Sequence, residues 1–322
     1  MAGDPCGCTS CPSRARAASS LTDELSALAH LDLATPAGVR AALRAAGLRL
    51  RPSRGQHFLV DRRVLARIVE AAAPDPTDLV LEIGAGIGTL TVALARTGAA
   101  VAAVEVDPRF IPVLRATCAP YPGVRILHAD AMALAAEMLP GVPTKVVANL
   151  PYSIASPLLI TLLEAGWGRR FVVMVQEEVA RRIVAGPDTE AYGLLSVAVQ
   201  AHALPTIVSL VPRRAFFPPP QVTSAIVRLE VPDPPPVPRP LVSVVMTVAR
   251  AAFGQRRKML RTALRAARQP HLPPETVEAL CLAAGIDARR RGESLSLAEF
   301  VRLAEVLADR DGEGRSGSDQ GG

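Results

Sequence analysis

The sequence predicts an α/β protein, with a doubly wound domain of strands and helices followed by a smaller all-α C-terminal domain. Three observations carry this prediction. Leu79 to Val92 reads as a buried strand, a tight glycine turn and the start of a helix. From there to about residue 175, apolar runs of strand length alternate with helical segments, and polar residues close the strands. A stiff stretch with six prolines in nine residues, Pro232 to Pro240, then precedes a region patterned as helix throughout.

The elements justify this division in order. Residues 1–33 are polar or alanine-rich without a lasting period, and a disordered N-terminal extension is expected there. Thr35-Pro36 has the form of an N-cap followed by proline at the first helical position, opening a short helix that Gly47 stops. Arg51 to Asp61 mixes Gly, Gln, His and an aromatic before an amphipathic helix from Val64 to Ala73. It reads either as a lead-in capped by Asp61 or as a lid over a bound ligand. Val124–His128, Thr144–Ala148 and Arg170–Val175 are strands, with a helix from Ser156 to Ala165 between the last two. Val197–Val211 and Ser224–Val231 read as two further strands bracketing the loop Arg213-Arg214-Ala215-Phe216-Phe217-Pro218-Pro219-Pro220. The expected domains are therefore 34–232, a linker at 233–240, a smaller helical domain at 241–308, and a disordered tail at 309–322.

The glycine turn narrows the ligand. Its spacing, Glu82-x-Gly84-x-Gly86-x-Gly88, differs from the dinucleotide fingerprint G-x-G-x-x-G. It resembles motif I of the Rossmann-like S-adenosyl-L-methionine (SAM) methyltransferases, although a glycine turn of this kind also serves other α/β domains. The strand Val101–Val106 carries Glu105 at its tip, where a ribose diol would be hydrogen-bonded. Asp130 and Asn149 fall at the carboxyl ends of the next two strands, the side on which doubly wound sheets bind ligands.

Asn149-Leu150-Pro151-Tyr152 suggests a chemistry. An exocyclic adenine amine is a poor nucleophile because its lone pair is delocalised into the ring. The Asn149 amide oxygen and the Leu150 carbonyl could accept both amine hydrogens and draw the nitrogen towards a tetrahedral geometry. Pro151 removes a competing N–H, and Tyr152 offers a stacking face for an unpaired base. The same four residues also suit a plain strand-ending turn. The aromatics favour the chemical reading. The chain has only eleven Phe, Tyr and Trp residues, yet Phe58, Tyr152, Phe216 and Phe217 all fall in the suspected site loops.

Composition sets bounds. A hydrophobic content of 49% with 20% charged residues is that of a globular chain, and a net charge of +6 suits an anionic partner. Nearly all the cation is arginine, as phosphate binding or GC-rich coding would each produce. Cys6, Cys8 and Cys11 lie close together without a fourth ligand nearby, so no metal site is expected, and Cys118 and Cys281 read as buried small hydrophobes. No signal segment or membrane span is evident, which points to the cytoplasm and to no membrane partner.

Taken together, Gly55-Gln56-His57-Phe58-Leu59, the glycine turn, Val104-Glu105-Val106-Asp107, Ala129-Asp130-Ala131, Asn149-Leu150-Pro151-Tyr152, Phe216-Phe217-Pro218-Pro219-Pro220-Gln221-Val222-Thr223-Ser224 and Phe253-Gly254-Gln255-Arg256-Arg257-Lys258 resemble the rRNA adenine N6-dimethyltransferases. They resemble most the bacterial small-subunit branch linked to kasugamycin sensitivity, over roughly Thr35 to Leu307. The resemblance implies transfer of methyl groups from SAM to two adjacent adenines near the 3′ end of 16S rRNA, in the small subunit or its precursor, by a monomer. It also implies that His57, Leu59, Gly84, Glu105, Asp130 and Asn149 bind SAM. Asn149, Leu150, Pro151, Tyr152 and Phe216 would serve the target base, with Tyr152 and Phe216 stacking on it. Three positions depart from the family's pattern: His57 stands where Asn is commoner, Glu177 where a basic residue is usual, and Thr262 in place of Asn.

Between Arg250 and Arg268 there are seven basic residues and no acidic one. Read as one helix, Arg257, Arg261, Arg265 and Arg268 share a face, either a solvated one or a phosphate-binding one. Three other functions fit parts of the pattern: the macrolide-resistance branch acting on 23S rRNA, a DNA adenine methyltransferase, and an assembly checkpoint factor whose binding matters more than its methylation. The Arg-Arg-Lys motif argues against the first, and the lack of an obvious target-reading domain argues against the second.

Overall fold

A computed structural model describes residues 27–50, 56–269 and 272–316, the last six as backbone alone. Cys6, Cys8, Cys11 and residues 51–55 lie outside this set. In chain order the elements are α1 (Pro36–Ala45), β1 (Phe58–Leu59), α2 (Arg62–Ala72), β2 (Leu79–Ile83), α3 (Thr89–Ala95), β3 (Ala100–Glu105), α4 (Ile111–Cys118), β4 (Val124–His128) and β5 (Lys145–Asn149). There follow α5 (Ala155–Glu164), β6 (Arg170–Gln176), α6 (Glu177–Val184), α7 (Leu194–Gln200), β7 (Leu204–Val211), β8 (Phe216–Phe217) and β9 (Ser224–Glu230). The chain closes with α8 (Arg239–Gly254), α9 (Leu260–Ala266), α10 (Pro274–Ala283) and α11 (Leu297–Ser316). The chain divides into two compact units, the described parts of Met1–Pro151 with Pro212–Gln221, and of Tyr152–Val211 with Val222–Gly322.

In the first unit β2 pairs in parallel with β3 and β5, and β3 with β4. Val80, Leu81, Val101, Ala102 and Val146 are fully buried, as strands covered on both faces must be. The helices start where their caps predict. Thr35 Oγ1 accepts from Gly38 N at 3.1 Å, and Asp61 Oδ1 accepts from Arg63 N at 2.9 Å and Val64 N at 3.2 Å.

The expected disorder does not extend to residue 33. Ala27–His30 forms a 3-10 turn, and Leu28 and Leu33 pack with Val39, Leu43, Ile87 and Phe110. Their apolar side chains find a cluster that no local periodicity announces. Similarly, the backbone past residue 309 continues the helix α11 to Ser316.

In the second unit β9 pairs antiparallel with both β6 and β7. The strand expected from Val197 begins only at Leu204, because residues up to Gln200 form α7. The valines of that segment resemble a strand, but Ser196 Oγ accepts from Gly193 N at 3.1 Å and closes a helical N-terminus. Helices α8 to α11 share one core with α7, through Val197, Ala198, Val245, Val248, Phe300 and Leu303. Cys118 and Cys281 are buried, as expected.

The basic stretch is not one helix. α8 ends at Gly254 and α9 begins at Leu260, so Arg257 lies in the turn between them, and Arg268 lies beyond α9. Arg265 and Arg261 both pair with Glu278, at 2.9 Å and 3.9 Å. Arg257, Lys258 and Arg268 remain exposed.

Gly88 caps α3 at φ +93°, and a Cβ there would lie 2.6 Å from Thr117 Oγ1 and 3.1 Å from Leu114 Cδ1. Gly285, at φ +66°, has nothing within 4 Å of its Cβ position. Gly285→Ala should therefore cost only the backbone term of about 1–2 kcal/mol. Gly88→Ala should add about 1–3 kcal/mol for overpacking. Urea unfolding of the two variants measures the difference, and equal losses would contradict the packing account.

Candidate active site

The site grows from the carboxyl ends of the parallel strands of the first unit. β2 runs into Gly84 and Gly86, at φ +75° and +57°, conformations that L side chains rarely adopt. Gly84 N donates to Val104 O at 2.9 Å, so the turn is bound to the end of β3. A Cβ on Gly84 would meet the Asn149 carbonyl oxygen at 3.6 Å, and one on Gly86 would press on the Phe58 ring at 3.0 Å. The turn, β1 and the end of β5 thus converge.

Glu105 closes β3, and its carboxylate is committed to backbone: Oε2 accepts from Gly86 N at 2.7 Å and Oε1 from Asp107 N at 2.8 Å. Burial raises its pKa, and these two hydrogen bonds oppose the rise by favouring the charged form. Asp130 is exposed, and its Oδ1 accepts from Met132 N at 2.9 Å. Asn149 ends β5 half-buried, its Nδ2 donating to the His57 carbonyl at 3.4 Å, which turns the amide oxygen to the accepting side. Leu150 is buried, and Pro151 closes the first of the two segments of this unit.

The two loops singled out separately in the sequence are joined. β1 pairs antiparallel with β8, placing Phe58 opposite Phe217 and Leu59 opposite Phe216. The His57 Nδ1 lies 2.8 Å from the Pro218 carbonyl oxygen. Phe58 meets Phe110 edge-on at 5.6 Å, and the Arg40 guanidinium stands 5.0 Å above the Phe217 ring. Phe216 and Leu59 are buried within the ribbon, at 3% and 5% exposure. Tyr152 opens the second unit, where its hydroxyl is 2.6 Å from Ser224 Oγ. Burial raises the pKa of that phenol.

The sequence analysis missed two side chains here and the burial of a third. Val106 and Met132 are large apolar residues that stand open, at 60% and 42% exposure, beside Glu105 and Asp130. Adjacency to those two acids was the available signal. The third is Glu82, the single charged residue of β2, already named in the glycine-turn spacing. It is fully buried, its Oε2 finds no hydrogen-bond partner among the described residues, and burial pushes its pKa up to about 8.

Comparisons with known proteins give the family. The model of the ribosomal RNA adenine dimethylase family matches residues 47–309. The chain belongs to that family. The Ribosomal RNA small subunit methyltransferase A of Geobacillus kaustophilus is 42% identical over 291 residues, covering 87% of this chain and 98% of that protein. Among solved structures, a dimethyladenosine transferase from Plasmodium falciparum aligns with a TM-score of 0.68 at 26% identity, over 80% of this chain and 98% of that one. The 23S rRNA methyltransferase ErmE aligns with a TM-score of 0.62 at 29% identity, over 78% of this chain and 99% of that one. The protein is therefore an rRNA adenine dimethylase of Rossmann-like fold that uses SAM. Its residues fit that ligand: Gly84 and Gly86 bring no side chain of their own to the turn, Glu105 is oriented by backbone, and Glu82 leaves a buried oxygen without a hydrogen-bond partner among the described residues. Among the described residues, no helix is long and apolar enough to cross a membrane.

The raised pKa of Glu82 has a pH consequence. Above the ordinary carboxyl value of 4.5 the unfolded chain has lost this proton, while the folded chain keeps it up to about 8. Stability from this group therefore falls as pH rises through that window, by at most about 1.4 kcal/mol per pH unit, and levels off above it. Glu82→Gln should flatten the stability profile between pH 5 and 8 relative to the unsubstituted protein. Thermal unfolding across that range tests this, and two parallel curves would refute it.

Proposed function

We propose that this protein dimethylates N6 of two adjacent adenines near the 3′ end of 16S rRNA, in the small ribosomal subunit or its precursor. The observation that carries the reading is the near full-length match to proteins named for small-subunit methylation. It is supported by Asn149 standing at the end of β5 against the glycine turn.

In this reading SAM supplies an electrophilic methyl group. Gly84 and Gly86 let the ligand approach the backbone, and His57 and Leu59 close over it from the ribbon of β1 and β8. Glu105 uses its remaining lone pairs for the ribose hydroxyls. Asp130 accepts from the adenine amine, and Val106 and Met132 bracket that ring with apolar surface. The Asn149 amide oxygen and the Leu150 carbonyl accept the two hydrogens of the target amine and aim its lone pair at the methyl group. Pro151 stiffens that carbonyl, and Tyr152 provides stacking surface for the base, whereas Phe216, expected to stack as well, is buried in the ribbon of β1 and β8 and packs there instead. No strong base is needed, since the nitrogen becomes acidic once methylated and loses its proton to solvent. Alignment and fixed dipoles carry the rate. Residues 34–232 hold this machinery, and the helical region 241–308 contacts RNA through Arg257, Lys258 and Arg268.

Asn149→Ala should lower the methylation rate by at least about a hundredfold, the usual cost of losing one preorganised polar group. Its binding to unmodified small subunits should be retained. Labelled SAM with nucleoside analysis for dimethyladenosine measures the first, and sedimentation with subunits the second. Full activity would exclude the assigned role, and loss of binding along with methylation would make Asn149 structural.

A further inference from the structure

Within the second unit, a cleft of about 590 Å³ lies between the loop after α5, the chain leading from β9, and one face of α8. A neighbouring cavity of about 330 Å³ shares Glu164, His202, Met246 and Arg250 with it, so the two adjoin. Neither is lined by a residue assigned above to methyl transfer.

The α8 wall carries Arg239, Ser243, Thr247 and Arg250, spaced by four, four and three residues, which places them along one helical stripe. Arg239 is accommodated specifically: its guanidinium occupies the space over Gly166, a residue at φ +70° where any side chain would collide with it. Arg169 in the same wall is paired with Asp233 at 2.8 Å. Arg239 and Arg250 have no ion-pair partner among the described residues, unlike Arg265 and Arg290, which are held by Glu278 and Glu299. The uncommitted charges in the wall are then these two cations against Glu164. The floor mixes apolar surface from Met246 and Pro232 with His202, which burial biases towards its neutral form.

Eleven residues of α-helix place Arg239 and Arg250 about 16 Å apart along the axis. That exceeds the reach of a single phosphate group and fits successive phosphates of one strand, with the hydroxyls of Ser243 and Thr247 between them. We propose that this cleft binds a single-stranded segment of the RNA substrate, with Arg239 and Arg250 each neutralising a backbone phosphate. The inference rests on rRNA being the substrate, and it adds a contact line apart from Arg257, Lys258 and Arg268.

Filter binding of full-length protein to transcribed, unmodified 16S rRNA across a range of KCl concentrations tests it. Arg239→Gln combined with Arg250→Gln should weaken binding at least fivefold at moderate salt. It should reduce the slope of log affinity against log salt by about 1.4, two single-strand phosphate contacts at roughly 0.7 each. The paired Lys substitutions should restore most of the slope, because they keep the charge. Ser243→Glu, an exposed change that puts an anion into the cleft, should weaken binding even if the double variant misfolds, and SAM affinity by calorimetry should stay unchanged throughout. An unchanged slope in the Gln pair and in Ser243→Glu, against a wild type that binds RNA, overturns the cleft assignment alone. So does displacement of the RNA by free AMP, which would make this a mononucleotide site. So does weakened binding to assembled subunits with naked rRNA unaffected, which would make it a protein contact. A wild type with no salt-dependent RNA binding overturns both this inference and the reading it rests on.

Discussion

The candidate site depends on one carboxylate holding two backbone N–H groups. Glu105 joins the turn after β2 to the loop after β3 through Gly86 N and Asp107 N, each within 2.8 Å. Only a carboxylate offers an acceptor oxygen to each of these donors and keeps lone pairs for a diol; a glutamine side chain has a single accepting oxygen. The arrangement has a cost, visible in the raised pKa of the buried group. The two charge-assisted hydrogen bonds offset part of that cost. The geometry of the glycine turn, and with it the approach of any ligand to Gly84, follows from this clamp.

Around the clamp, support comes from sequence-distant elements. The segment before α1 buries Leu28 and Leu33 beside Phe110, and Phe110 in turn meets Phe58. Arg40 of α1 stands over Phe217. Through Phe58 and the adjoining His57 carbonyl these contacts reach Gly86 and Asn149. Precision in the site is thus a packing property of the first unit: aromatic rings with few rotamers transmit position better than flexible chains do.

Electrostatics divides the arginines by their partners more than by their number. Arg261 and Arg265 share Glu278, and Arg290 is held by Glu299, whose pKa falls to about 2 under that contact. Such pairs fasten the helical region together and are already neutralised. Among the described residues of the helical region, Arg257 and Lys258 in the turn, Arg268 beyond α9, and Arg239 and Arg250 along α8 have no ion-pair partner, and these have charge to offer a polyanion.

Much of this protein was legible in its sequence because the signals were local. The caps at Thr35 and Asp61, the buried strand before Gly84 and the strand-ending Glu105 are each specified within a few residues, and the family follows from those motifs. Other features were not legible because they depend on chain segments far apart. Residues 197–200 have strand-like valines, yet a cap at Gly193 and Ser196 makes them helical. The supposed single basic helix breaks between Gly254 and Leu260, where Met259 bridges to Arg291. The pairing of Phe58 with Phe217 joins residues more than 150 positions apart, and no periodicity encodes such a contact. Sequence by itself determined which chemical groups this protein possesses and the local backbone that carries them. Tertiary structure decided which of those groups are buried, paired or left open, because burial and partnership are properties of neighbours that only folding brings together.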